Sequence, residues 1–525
     1  MTVKHDTLED QRLALQAALD GKKTQAERNK LGQFATPTAL ARDVLAYGLS
    51  LLPKAEPVRF FDPAIGTGSF YAALLSTSAG RRIASAQGFE IDPHYGEPAR
   101  THWHGTPLKI TLGDFTRADP SVEDKPNLLI CNPPYVRHHH LDAADKVRLQ
   151  ALARERAHAS LSGLAGLYCY FMALAHTWMA EGGVAGWLIP SEFMDVNYGR
   201  TLKRYLLSEV TLLHIHRFDP HDVQFDDALV SSAVVWFRKG KPPANHHVTF
   251  SYGGSLQAPA MVKKIKTHDL EKADKWTRFP NCDPAAEHEG YRLGDLFAIK
   301  RGLATGDNGF FILDEEKAKA LDLPPRYLKP ILPSTRYLKS DEIKADKNGI
   351  PLLDKRLFLL DCDLPEEDIR RDYPTLWAYL ETGIAEVAPR YLCRSRRYWY
   401  TQENRKAAPI VCTYLGRSDH AGRPFRFILN ESQATATNVY LMLYPQPLLA
   451  KQLAVQPDAI RRLWEALNSI KAETLLGNGR VYGGGLHKLE PKELANVPVD
   501  ELAALIGLEV KRSTKQLKFL DEAVA

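Results

Sequence analysis

The sequence predicts an α/β protein: a mainly parallel sheet covered by helices, followed by a second domain of α+β character. Three observations carry this. Short apolar runs recur at Val58–Phe61, Ala84–Glu90, Leu128–Cys131, Val184–Ile189 and Thr211–His216, with helical spacing between them, as parallel strands joined by crossover helices require. A turn with two glycines joins the first of these strands directly to a helical segment, Tyr71-Ala-Ala-Leu-Leu75. Beyond about residue 285 the alternation fades into short strand-like runs and isolated helices broken by glycine and proline.

Residues 1–30 read as one amphipathic helix, with Leu8, Leu13, Leu15 and Leu19 among charged positions and a break at Gly32 and Pro37. This helix is expected to be a cap without a catalytic part. Residues 31–255 then form the sheet domain. Its most apolar stretch, Leu167–Ala180, carries His176 and is too short to cross a bilayer, so it is expected to be a buried helix. Two further runs, Leu229–Phe237 and His247–Tyr252, are expected to close the sheet with an antiparallel edge. Residues 256–287, bounded by Ser251-Tyr-Gly-Gly-Ser and Asn281-Cys-Asp-Pro-Ala-Ala, offer linker chemistry, and 288–525 form the second domain.

Composition narrows the function without choosing it. A polar N-terminus of mixed charge lacks a secretory core, and six cysteines contain no CxxC pair for a zinc ribbon or a small disulfide scaffold. A cytoplasmic protein without a metal or a membrane span is the expectation. A net charge of +5 on 525 residues does not by itself argue for nucleic acid.

The glycine turn, Asp62-Pro-Ala-Ile-Gly-Thr-Gly-Ser-Phe70, places Gly66 and Gly68 where the backbone must turn tightly and approach a ligand. Tyr71 stands where a dinucleotide fingerprint needs a small residue, which disfavours nicotinamide and flavin. Glu90 ends the second strand 22 residues beyond Gly68, the position from which an acid binds ribose hydroxyls. Asp114 and Phe115 end the next strand-like stretch, where the acid can accept from an adenine amino group and the ring can cover the base.

Leu128-Leu-Ile-Cys-Asn-Pro-Pro-Tyr135 leaves a buried strand for a rigid turn at the carboxyl end of the sheet. Two prolines fix φ and remove donors, so the Asn132 amide and the Pro133 carbonyl can face one point. Two acceptors there suit the N–H groups of an exocyclic amine and favour a pyramidal, nucleophilic nitrogen. Tyr135 offers a ring for stacking on a base. The adjacent His138-His-His140 is read as a solvated or phosphate-facing loop, because three consecutive histidines cannot all reach one metal.

The order of these motifs resembles the gamma class of amino-methylating DNA methyltransferases, which includes the Taq methylase and many restriction-modification enzymes. Gly32-Gln-Phe-Ala-Thr-Pro37 resembles the family's N-terminal S-adenosylmethionine (AdoMet) motif and implies Thr36 as a cofactor contact. Asp62 to Phe70 resembles the main AdoMet motif, implying Asp62, Ala64, Gly66 and Gly68 and departing at Ile65, where cysteine is usual. Glu90, Asp114 and Phe115 match the ribose and adenine positions. Asn132, Pro133 and Tyr135 match the catalytic motif in its adenine-N6 form. Val223-Gln-Phe-Asp-Asp-Ala228 resembles the motif whose aromatic residue packs on a flipped base, implying Phe225, although a core phenylalanine fits the same pattern. Lys300-Arg-Gly-Leu-Ala-Thr-Gly-Asp-Asn308 and Gly483-Gly-Gly-Leu-His-Lys-Leu-Glu-Pro-Lys-Glu-Leu494 resemble parts of a target-recognition domain.

The resemblance implies a Rossmann-like AdoMet-dependent sheet with a C-terminal α+β target-recognition domain. The implied partners are double-stranded DNA and a separate cognate restriction endonuclease, with monomeric action. Between Pro389 and Arg426, nine Lys or Arg residues stand against two acids with aromatics interleaved, and Arg394, Arg396, Arg397 and Lys406 are the candidate DNA contacts. Two readings compete: a protein glutamine-N5 methyltransferase, which also uses an Asn-Pro-Pro-Tyr turn, and a non-catalytic DNA-binding subunit.

Overall fold

A computed structural model describes residues 2–120, 123–219, 231–279, 290–417, 423–482 and 486–508. The chain divides into two compact units, 1–286 with 482–484, and 287–481 with 485–525.

In the first unit the apolar runs become β1 (Val58–Asp62), β2 (Ile83–Glu90), β3 (Leu108–Leu112), β4 (Leu128–Cys131) and β5 (Val184–Pro190), all mutually parallel. They are joined through α4 (Ser69–Leu75), α5 (Pro93–His102), α6 (Ala143–Ala157) and α7 (Leu167–Ala175), after the N-terminal α1 (Thr2–Asp20), α2 (Gln25–Leu31) and α3 (Thr38–Ser50). The side-chain alternation of a strand explains the near-continuous apolar runs, because both faces are covered. Phe60, Leu128 and Ile130 pack with Leu40, Val44, Phe70 and Leu74 from α3 and α4. Phe61, Leu129 and Cys131 face Leu149, Phe171 and Met172 from α6 and α7. The apolar 167–180 stretch is thus core: every residue of α7 after Leu167 is buried.

Strand order positions the site. With β6 (Val210–Arg217), β7 (Ser232–Lys239), β8 (His247–Gly254) and β9 (Pro259–Lys266), the sheet runs β3-β2-β1-β4-β5-β7-β6-β8-β9. From β1 the chain builds outward to β2 and β3, then returns to lay β4 on the other flank of β1. The crevice at this reversal, outside the carboxyl ends of β1 and β4, is where open α/β sheets bind ligands.

Three expectations are corrected. Residues 1–30 form two helices, because Gly21-Lys-Lys interrupts the first and Thr24 caps the second through a capping box with Glu27. The run ending at Phe237 is interior: β7 lies antiparallel between β5 and β6, a place its wholly apolar Ala233–Phe237 segment suits. The stretch read as a linker, 256–287, is built into the first unit as far as it is described. There β9 pairs antiparallel with β8, the short helix α8 (Thr267–Lys272) follows, and Trp276 is fully buried.

The second unit is α+β. β10 (Phe297–Arg301), β11 (Ile312–Asp314), β12 (Leu328–Ile331), β13 (Glu342–Ile343), β14 (Leu357–Leu360), β15 (Ile410–Thr413), β16 (Leu415–Arg417), β17 (Phe427–Asn430), β18 (Tyr440–Pro445), β19 (Arg480–Tyr482) and β20 (Leu486–Lys488) form three small sheets. The largest, β10-β18-β15-β17-β13, is antiparallel except where β13 meets β17. Among the described residues no helix is long and apolar enough to cross a membrane.

Candidate active site

The glycine turn leaves β1 and the Asn-Pro-Pro-Tyr turn leaves β4, so neighbouring strand ends hold the two strongest sequence motifs. Gly66 and Gly68 adopt φ of +56° and +91°, values that explain glycine at both positions. A side chain at Gly68 would collide with Trp103, whose indole donates to the Thr67 carbonyl at 2.9 Å. At Gly66 the corresponding space is open. The turn is therefore held from behind at Gly68 and uncrowded by protein atoms at Gly66.

Two acids line this turn. Glu90 Oε2 accepts from the Gly66 amide at 3.1 Å and Oε1 from the Asp92 amide at 2.9 Å. Burial raises its pKa, against the pull of those amide donors. Asp62 accepts from the Ala64 amide at 3.0 Å and is hydrogen-bonded with the Cys131 thiol. Burial, together with the Glu90 charge, pushes Asp62 up to about 7. The same surroundings raise Cys131, which stays a thiol.

Asn132 has one defined orientation. Its Nδ2 donates to the Phe34 carbonyl and to Thr36 Oγ1, both at 3.1 Å, while its Oδ1 is buried with no hydrogen-bond partner among the described residues. Reversing the amide would set oxygen against the Phe34 carbonyl, so the network decides the assignment. Thr36, expected at the cofactor, accepts from the Asn132 amide through its hydroxyl. Gly32 lets the Gln33–Pro37 segment lie directly against the Asn-Pro-Pro-Tyr turn: with φ at +65°, its Cβ would stand 2.4 Å from the Tyr135 amide nitrogen. Tyr135 is anchored by its hydroxyl, which donates to the Leu188 carbonyl at 3.1 Å, and its ring meets that of Phe34.

Other expected residues divide. Asp114 caps a short turn, accepting from the Thr116 amide at 2.8 Å, and pairs with Arg117 at 3.4 Å. The Phe115 ring is 2% exposed, packed among Phe61, Phe89, Phe171 and Trp178, so it offers a ligand an edge at most. His139 and His140 are exposed. Phe225 lies outside the described residues.

In the second unit the basic stretch sorts by partner. Arg396 donates to the Ala304 and Thr305 carbonyls at 2.7 and 2.9 Å, and Arg390 pairs with Asp307 at 2.8 Å, so both brace the 304–307 loop. Arg426 is held by Asp341 at 2.6 Å, and Tyr400 and Tyr414 are core residues. Arg394, Arg397 and Lys406 are exposed and make no ion pair among the described residues. Lys406 joins Lys300, Asn404, Arg405 and Tyr444 around a groove of about 300 Å³, a basic concavity the sequence did not foretell because Lys300 comes from β10.

Known proteins resemble this chain over most of its length. Residues 113–224 match the Eco57I restriction-modification methylase model, and 283–524 match that of the C-terminal domain of the type II methyltransferase M.Eco57I. The chain is 27% identical to the type II methyltransferase M.AccI of Acinetobacter calcoaceticus over 518 residues, 94% of this chain and 90% of that one. It is 28% identical to the type II methyltransferase M.XamI of Xanthomonas campestris pv. amaranthicola over 492 residues, 91% and 86% of the two chains. Among solved structures, the type IIL restriction-modification enzyme MmeI in complex with DNA matches with a TM-score of 0.49 and 14% identity, over 98% of this chain and 77% of that one. The type IIG restriction endonuclease BpuSI matches at a TM-score of 0.43 and 16% identity over 90% of this chain, which spans 60% of that protein. These matches support a DNA methyltransferase of the restriction-modification kind, with S-adenosylmethionine as its methyl donor.

Proposed function

We propose that the protein methylates N6 of an adenine flipped out of duplex DNA, as the modification enzyme of a restriction-modification system with a separate endonuclease. The observation that carries this reading is the Asn132 amide. Its nitrogen is tied to Phe34 and Thr36, and its buried oxygen is left to accept an N–H. An unsatisfied buried acceptor costs about 1–3 kcal/mol, so a position that keeps one is expected to gain a partner in the working complex.

The residues present fit the cofactor. Open space beside Gly66 admits close approach to the backbone, Glu90 presents a half-buried carboxylate for ribose hydroxyls, and Asp62 adds a second acid suited to a cationic ligand. AdoMet, when bound, supplies a methyl group on an electrophilic sulfonium. Asn132 Oδ1 and the Pro133 carbonyl accept the two N–H groups of the target amine, drawing its lone pair out of conjugation. Tyr135, held by Leu188, offers a ring face to the base. Asp114 and Phe115 bound the adenine side of the cofactor.

The test is to incubate the protein with labelled AdoMet and unmethylated DNA, then identify the methylated nucleoside by mass spectrometry, with Asn132→Ala as control. N6-methyladenine from the wild type alone supports the reading. N4-methylcytosine would overturn the base assignment, and label on protein glutamine would overturn DNA as substrate.

Two predictions follow from the charges. A bound cation stabilises ionised Asp62, so AdoMet binding releases protons near neutrality and tightens as pH rises. Affinity measured calorimetrically is expected to increase about tenfold from pH 6 to pH 8, and Asp62→Asn to remove the dependence. Without ligand the sign reverses for stability. A carboxyl raised from 3.8 to about 7 contributes stability that is complete below the unfolded value and lost as pH rises through 7.

In the second unit, Arg394→Ala, Arg397→Ala and Lys406→Ala are each expected to weaken DNA binding and flatten log K against log salt by about one unit, leaving AdoMet affinity unchanged. Arg396→Ala differs. Its loss frees the Ala304 and Thr305 carbonyls, so it is expected to lower the melting temperature as well. Filter binding across a salt series and thermal melts separate the two cases.

A further inference from the structure

We propose that the N-terminal helix α1 is a positioning element of the cofactor site, acting chiefly through Arg12. This rests on the reading that the glycine turn and Glu90 hold AdoMet. Arg12 is 1% exposed although it lies on a terminal helix. Its Nε and Nη2 donate to Glu9 at 2.7 and 2.8 Å, and its Nη1 reaches across to Thr67 Oγ1, between the two glycines, at 3.1 Å. The Thr67 hydroxyl in turn donates to Gln16 Oε1 at 2.6 Å, and Thr38, opening α3, donates to Glu9 at 2.5 Å.

The end of this segment grips a second loop. The His94 ring donates from Nε2 to the Leu19 carbonyl at 2.9 Å, and the Tyr95 hydroxyl donates to Asp20 at 2.8 Å. Lys23 pairs with Asp92, which also accepts from Gln33 at 2.8 Å and whose amide donates to Glu90. The segment from Glu9 to Lys23 thus ties together the glycine turn, the Glu90 loop and the 33–38 stretch that orients Asn132.

A buried ion pair is a poor way to gain stability, because desolvation offsets the attraction and apolar residues of similar size serve as well. What an arginine adds here is direction. Its planar fork satisfies Glu9 on one edge and leaves Nη1 aimed at the turn. By fixing Thr67 from behind, Arg12 holds Gly66 and Gly68 in their left-handed conformations before ligand arrives, so less ordering remains to oppose binding.

The test uses the full chain. Thr67→Val removes both contacts at the turn while keeping the Glu9–Arg12 pair, and the double variant Glu9→Gln with Arg12→Gln removes the charges without leaving one unpaired. Each is expected to raise the KM and Kd for AdoMet about tenfold, with the KM for DNA unchanged and kcat at saturating AdoMet within about twofold. Arg12→Lys, which keeps the charge, is expected to recover part of the loss. Folded Thr67→Val with wild-type AdoMet affinity would overturn the proposal. Glu90→Ala separates the causes. If it weakens AdoMet binding and Thr67→Val does not, only the clamp falls; if Glu90→Ala also binds normally, the cofactor reading falls with it.

Discussion

Asn132→Ala is expected to lower the single-turnover rate of methyl transfer at least about 100-fold, the scale on which loss of one preorganised polar group acts at a reacting centre. The substitution removes the buried Asn132 Oδ1 acceptor and takes the Nδ2 donor from the Phe34 carbonyl and the Thr36 hydroxyl. Binding is expected to change far less, because Glu90, Asp62 and the glycine turn are untouched. Asn132→Asp sharpens the result. It keeps an oxygen acceptor but sets a carboxylate against the Phe34 carbonyl, so it is expected to be nearly as slow and less stable. Rapid-quench measurement with labelled AdoMet, beside equilibrium binding of AdoMet and DNA, checks both. A rate near wild type for Asn132→Ala would remove the amide from the chemistry.

Gly32→Ala is the second large effect, and it arises with no functional group lost. At φ +65° a β-carbon costs about 1 kcal/mol in backbone strain alone. Here it would also stand 2.4 Å from the Tyr135 nitrogen and 3.0 Å from the Pro134 carbonyl carbon, both backbone atoms held by the rigid Pro-Pro turn. Relief requires the Asn-Pro-Pro-Tyr turn and the Gln33–Pro37 stretch to part, which lengthens the Asn132 bonds to Phe34 and Thr36. A destabilisation of about 2 kcal/mol and at least about a tenfold fall in kcat are expected. Thermal melts and steady-state kinetics measure them; an unchanged kcat would mean that the two loops work independently.

Much of this site was legible before any coordinates. The β1 and β4 strands, the glycine turn, Glu90 and the Asn132 tetrapeptide all stand where contiguous patterns placed them. What the patterns misplaced has a common cause. β7 and β9 were ranked as edge and linker, yet strand order is decided by which apolar faces find one another across the sheet. Arg396 counted toward a basic stretch, although its donors belong to carbonyls 91 and 92 residues earlier.

The sequence by itself determined the alternation of strands and helices, the left-handed glycines and the rigid turn that carries Asn132. Each depends on periodicity or turn chemistry within a few adjacent residues. Only the tertiary structure decided which way the Asn132 amide points, since that follows from a carbonyl 98 residues away. It likewise decided that Arg12, in a helix with no marked motif, reaches the glycine turn 55 residues on. Hydrogen bonds between distant segments leave no period in the chain. They exist only once the hydrophobic layers have set those segments side by side.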